Sequence, residues 1–151
     1  MVAVTSAEET ILYRPGLPNR VAQRLKAVGL RPTRQRLGLG GLLFEGLDRH
    51  VSAEALFHEA RAAKLNVSLA TVYNTLHQFA AAGLLRKVVV NTGQTFFDTN
   101  TTDHHHFFNE RTGEVRDIPL GEVELTRLPT APDGFELAYV DVVVHLRPKL
   151  R

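Results

Sequence analysis

At 151 residues, 44% of them hydrophobic and 23% charged, the chain suits one ordinary domain or two small ones and is able to bury a core. The lack of cysteine excludes disulfides, thiolate metal sites and a cysteine nucleophile. No apolar run nears the ~20 residues of a membrane span; the N-terminus has no basic region leading into an apolar core, so no secretory signal is expected and the cytosol is the expected address.

The net charge of +2 conceals a division. Asn19 to Val90 carries eleven Lys/Arg against four Asp/Glu, whereas Asn91 to Arg151 carries six against ten. That is the pattern of a polyanion-binding module joined to something else. Cationic surface draws nucleic acid without choosing its sequence.

Residues 1–18 read as a flexible arm closed by Arg14-Pro15-Gly16-Leu17-Pro18. Asn19 then suits the N-cap of a helix through Val28, with Val21, Leu25 and Val28 at helical spacing and Gly29 as its stop. Leu30-Arg31-Pro32 is an extended link, because the residue before proline avoids the helical region. Thr33 caps a second helix to about Phe44, which Gly38, Gly40 and Gly41 weaken in isolation. Ser52 caps a third, carrying Ala55, Leu56 and Ala60.

The fourth helix follows Ser68 and stops at Gly83. Leu69, Val72, Leu76 and Phe79 form a core-facing stripe. The opposite side holds Ala70, Thr71, Asn74 and Gln78, amide-bearing or small and free of charge, where an ordinary solvated face carries Lys and Glu. Such a face suits a DNA groove, where amides and small side chains meet base edges. Tyr73 and His77 lie at its border. Arg86–Val90 and Gln94–Asp98 then read as two strands around Asn91-Thr92-Gly93. Three short helices, a polar-faced last one and a basic hairpin make a winged helix-turn-helix over residues 19–98.

Residues 99–151 read as a small α/β unit. A strand holding the histidines is followed by a turn at Arg111-Thr112-Gly113, a strand Glu114–Ile118, and a short helix expected over Leu120–Leu128. A long strand is expected from Phe135 to Leu146, apolar on both faces near Val142–Val144 and therefore central. About 50 residues is little for an independent core, which predicts completion by a second copy of the chain. The fold class expected is α+β.

The run Asp103-His104-His105-His106-Phe107-Phe108 is the chain's most unusual stretch. If extended, His104 and His106 share a face and His105 takes the other. Two imidazoles on one face are half of a metal site; an imidazole cluster also suits a heme iron. A metallohydrolase built on His104, His106 and Asp98, with Glu110 or Asp103 as base, is a further class, but it leaves the basic, polar-faced helix without a use.

The segments Gly29-Leu30-Arg31-Pro32-Thr33-Arg34-Gln35-Arg36, His50-Val51-Ser52-Ala53-Glu54, Ser68-Leu69-Ala70-Thr71-Val72-Tyr73-Asn74-Thr75-Leu76 and Asp103-His104-His105-His106-Phe107 together resemble the ferric uptake regulator (Fur) superfamily over residues 19–147. The cysteine-free C-terminal half and the triple histidine look most like its iron response regulator (Irr) branch in α-proteobacteria. The resemblance implies a homodimeric transcription factor on an AT-rich palindromic operator, with the α/β part dimerising.

Carried over by position, it implies DNA contacts from Tyr73 and Arg31, alongside Thr71, Asn74 and His77 of the fourth helix; Asn74 replaces a frequent arginine. It implies Fe, Mn or Zn at His50, Asp98, His104, His106 and Asp117. Ligands drawn from both halves let occupancy set the spacing of two recognition helices. A weaker second site falls on Asp103, His105 and Glu124, with Val140 where a histidine is usual. Heme, if bound, must be held by nitrogen ligands, with His104, His105 and His106 the candidates. The CxxC of the family's structural zinc reads Asn109-Glu110-Arg111-Thr112, so no such zinc is expected.

Overall fold

The computed structural model describes residues 17–91 and 93–151, which divide into two compact units meeting between Thr101 and Thr102. The first begins with helices α1 (Leu17–Ala27) and α2 (Arg34–Phe44), then a two-residue strand β1 (His50–Val51). Helices α3 (Ala53–Ala62) and α4 (Leu69–Ala81) follow, and the hairpin β2 (Arg86–Asn91) and β3 (Gln94–Asp98) closes it.

Local chemistry sets the helix starts. The Thr33, Ser52 and Ser68 hydroxyls accept N–H bonds from Arg36, Ala55 and Thr71, satisfying donors the helices cannot. Asn19, expected as a cap, lies inside α1, which already includes Leu17 and Pro18. Proline fits a first helical turn because its missing N–H has no intrahelical acceptor there. The rest of the arm expected over residues 1–18 lies outside the described residues.

The glycines of α2 have a packing role. A Cβ on Gly40 sits 2.6 Å from Val21 Cγ1, and one on Gly38 sits 3.0 Å from the Leu65 methyl carbons. The α1–α2 crossing is therefore closer than any side chain at position 40 permits. Around it the core gathers Val21, Leu25, Leu39, Leu43, Leu56, Ala60, Val72, Leu76, Phe79 and Phe97. Leu69 departs from the expected stripe: it is 40% exposed, and Thr75, 5% exposed, is buried instead. The sheet order is β1-β3-β2, antiparallel throughout. No helix among the described residues is long and apolar enough to cross a membrane.

The second unit is a sheet of β4 (His106–Asn109), β5 (Val115–Asp117) and β6 (Val143–Leu146), in the order β5-β4-β6. β4 runs antiparallel to β5 and parallel to β6. At the Asn109–Thr112 turn the Asn109 side-chain oxygen accepts N–H bonds from Arg111 (3.0 Å) and Thr112 (3.2 Å).

Two expectations fail here. Leu120–Leu128 forms no helix: Gly121 stands at φ +87°, which turns the chain out of the helical path, and Pro129 follows. The long strand shrinks to Val143–Leu146 and lies at an edge, with β4 central. Within the unit the β4–β6 ladder begins at Val143, and Phe135, Leu137 and Tyr139 stand exposed.

Candidate functional site

In the first unit, β1 and β3 place His50 opposite Asp98 as direct cross-strand partners, so their side chains share a face. His50 Nε2 lies 3.0 Å from Asp98 Oδ2. Asp98 is 1% exposed, and its Oδ1 accepts the Asn100 N–H at 2.9 Å. Arg86, also buried, is its cross-strand partner on β2. Sequence reasoning named both residues but missed the strand that pairs them; two residues are too few to leave a periodic signal.

In the second unit the three histidines are sorted by what their Nδ1 atoms meet. His104 Nδ1 meets the Thr102 carbonyl at 2.6 Å, and His106 Nδ1 meets Asp141 Oδ1 at 3.2 Å. Both partners are acceptors and both lie nearer than Asp117 does to the other ring nitrogen, so in the neutral rings the proton is assigned to Nδ1 and the lone pair to Nε2. Those Nε2 atoms point to one carboxylate oxygen, Asp117 Oδ1, at 3.2 Å from His104 and 3.6 Å from His106. The donor atoms of the trio lie within 4.8 Å of one another.

His105 is set the opposite way. Its Nδ1 accepts the Val142 N–H at 3.1 Å, which leaves the proton on Nε2 and no lone pair to offer a metal. His104 and His106 are nearly or fully buried, with ring centroids 4.5 Å apart, while Asp117 is 43% exposed at the open side.

Two imidazole lone pairs facing a carboxylate make an arrangement that a cation between them stabilises. The mixed nitrogen and oxygen set suits Fe(II), Mn(II) or Zn(II). The donor chemistry present therefore fits a divalent metal. Among the described residues Asp103, His105 and Glu124 do not converge as donors. Asp103 and His105 line a cavity of about 180 Å³ with Ile118, Pro119 and Leu120, and exposed Glu124 is not among its walls.

Sequence reasoning also missed Asp141. Its signal was its place beside Val140, where the family resemblance leads one to look for a histidine.

On α4, Tyr73 and Asn74 are exposed with Ala70 and Gln78, and the Gln78 side-chain oxygen accepts from Arg36 at 3.1 Å. The Thr71 hydroxyl oxygen accepts from Ser68 at 3.0 Å, tying it to the cap. His77 is half-buried; its ring lies 4.8 Å from Tyr73 and edge-on to Phe97 at 5.4 Å. Burial, aided by the Lys87 charge, lowers its pKa. His77 thus supports Tyr73 more than it reaches outward. Arg31 is exposed, and its carbonyl accepts from Arg36 at 2.9 Å.

The model of the ferric uptake regulator family matches residues 27–145. The ferric uptake regulation protein of Pseudomonas aeruginosa is 34% identical over 127 residues, covering 83% of this chain and 95% of that protein. The peroxide operon regulator of Bacillus subtilis is 30% identical over 118 residues, covering 78% and 81% respectively. Among solved structures, the Pseudomonas aeruginosa ferric uptake regulator with manganese shares a TM-score of 0.64 and 28% identity over 86% of this chain and 98% of that one.

Proposed function

The chain belongs to the ferric uptake regulator family of metal-responsive, dimeric, DNA-binding transcriptional regulators, and from that premise we propose that it binds operator DNA under control of a divalent metal held by His50, Asp98, His104, His106 and Asp117. The family's members are regulators and not enzymes, so the metallohydrolase reading falls away. The observation that carries the proposal is the sorting of the histidine run. His104 and His106 hold their protons on Nδ1 and turn their Nε2 lone pairs to Asp117, while His105 between them is reversed.

The same geometry favours an ion over a porphyrin. A heme needs a free imidazole nitrogen with porphyrin-sized space around it. His106 is 0% exposed, His104 is 6% exposed, and the His105 Nδ1 is committed to the backbone. Heme sensing by His104–His106, in the manner of the Irr branch, is therefore the weaker reading.

The α4 face with Tyr73 and Asn74, its edge at Thr71, and Arg31 are the surfaces we assign to DNA, with His77 bracing Tyr73. The AT-rich palindrome follows from the family resemblance and from two-fold pairing of chains. Such work places the protein in the cytoplasm. An ion that takes donors from both units restricts their mutual freedom, and on this reading occupancy tightens DNA binding. Similarity to a peroxide operon regulator supports a second reading, in which peroxide oxidises a metal-binding histidine. Mass spectrometry of the Fe(II)-loaded protein after peroxide, seeking one added oxygen on His50, His104 or His106, tests it.

The main test is calorimetric titration of Mn(II), Zn(II) and heme into the purified dimer. One divalent ion per five-ligand set, lost in His104→Ala and His106→Ala, is expected. Heme taken up with loss of binding in the same variants, and no divalent uptake, overturns the reading.

A further inference from the structure

Asp141 lies on the far side of the His106 ring from Asp117. Its Oδ1 meets Nδ1 at 3.2 Å, and its side chain is 15% exposed. The backbone fixes this meeting twice: the His106 N–H donates to the Val142 carbonyl at 3.0 Å, and His106 pairs with Val143 in the parallel β4–β6 ladder. Two residues before that ladder, Asp141 has little freedom to leave.

We propose that Asp141 is a positioning residue for metal capture, the carboxylate of a carboxylate–histidine–metal arrangement acting through His106. The inference rests on the metal reading above and extends it by a residue that reading does not use. Three effects follow from one hydrogen bond. It fixes the tautomer that leaves the Nε2 lone pair exposed toward Asp117. It holds the ring plane. By drawing on the Nδ1 proton, it makes Nε2 a stronger donor. His104 is served by the Thr102 carbonyl at 2.6 Å, a neutral acceptor, so His106 is the ligand with the charged support. The run thus divides its labour: one histidine braced by backbone, one by carboxylate, and the middle one turned to hold Val142.

Replacing Asp141 removes the brace and leaves all five ligands in place. Outer partners of this kind alter metal affinity by roughly 10–100-fold. The experiment titrates Co(II) and Mn(II) into the parent, Asp141→Ala and Asp141→Asn. It reads affinity, the visible ligand-field bands of Co(II), and thermal melting of the metal-free proteins. Asp141→Ala is expected to bind at least about tenfold more weakly with altered bands and an unchanged metal-free melt. Asp141→Asn, whose amide oxygen still accepts the Nδ1 proton, is expected to recover most of the loss.

Parent-like affinity in Asp141→Ala, or equal loss in both variants, overturns the proposal. Should Asp141→Ala not fold, nitrogen-15 shifts of the imidazole in the metal-free parent decide the matter. Nδ1–H at His106 is expected, and Nε2–H overturns it. His106→Ala, run beside these, separates the two levels. If it also binds metal as the parent does, the ligand assignment itself fails. If it loses metal while Asp141→Ala does not, only the positioning role fails.

Discussion

Substituting alanine at Gly40 and at Gly41, side by side in α2, isolates the energy of one close approach. Both changes gain the same helix propensity, about 1 kcal/mol over glycine. At Gly41 the new methyl meets nothing within 4 Å, so that gain stands and the protein is stabilised. At Gly40 the methyl lands 2.6 Å from Val21 Cγ1, where relaxed carbon contacts lie at about 3.5–4.0 Å.

Val21 is buried in a helix and, being β-branched, is stiff at χ1, so relief comes from moving α1 rather than from swinging a side chain. Overpacking of this kind costs about 1–3 kcal/mol. The difference between the two variants is then about 1–3 kcal/mol, since propensity cancels. With an m-value of about 2 kcal/mol/M, the urea midpoints separate by about 1 M around the middle of that range. Far-UV circular dichroism measures both. Midpoints that move together refute the claim that the α1–α2 crossing depends on an absent side chain at position 40.

Ser68→Ala is expected to cost about 1 kcal/mol, because Ser68 Oγ accepts the Thr71 N–H at 3.1 Å; an unchanged urea midpoint contradicts the cap. Phe79→Ala, fully buried in the core with Phe44 against it at 5.9 Å, should cost about 3–5 kcal/mol, and a loss below about 1 kcal/mol contradicts that placement. His77 titrates below its ordinary 6.5 because burial, and then Lys87, disfavour the charged ring. Its unfolded form therefore takes up a proton first as pH falls: its contribution is complete above 6.5 and is lost below it. His77→Gln should show a shallower decline in stability below pH 6.5 than the parent, and equal slopes contradict the burial.

Features set within one or two turns of chain were legible from residues alone. Thr33, Ser52 and Ser68 each reach a backbone N–H three residues on, so the caps needed no tertiary information. The β2–β3 hairpin carried its own turn, with Gly93 at φ +88°. What depends on a distant partner was not legible. Alternation from Phe135 to Leu146 shows which side chains share a face, not whether a strand edge exists to pair with them, and within the unit it does only from Val143.

The histidine run shows the same division. Shared facing of His104 and His106 followed from period two, whereas the tautomers depend on Thr102, Val142 and Asp141, the last two more than thirty residues away. The pairing of His50 with Asp98 was hidden in a two-residue strand. The glycines of α2 misled in an instructive way, since a local weakness in propensity is the condition for a close tertiary contact.

The central claim is that metal at the histidine and aspartate donors governs hold on DNA. Its most direct measurement is fluorescence anisotropy of an AT-rich palindromic duplex, titrated with protein at fixed salt, with Mn(II) and after chelation. The parent should bind at least about tenfold more tightly with the ion. A protein carrying both His104→Ala and His106→Ala should bind the same duplex with an affinity that Mn(II) leaves unmoved. A double variant that answers Mn(II) as the parent does, or a parent indifferent to the ion, contradicts the account.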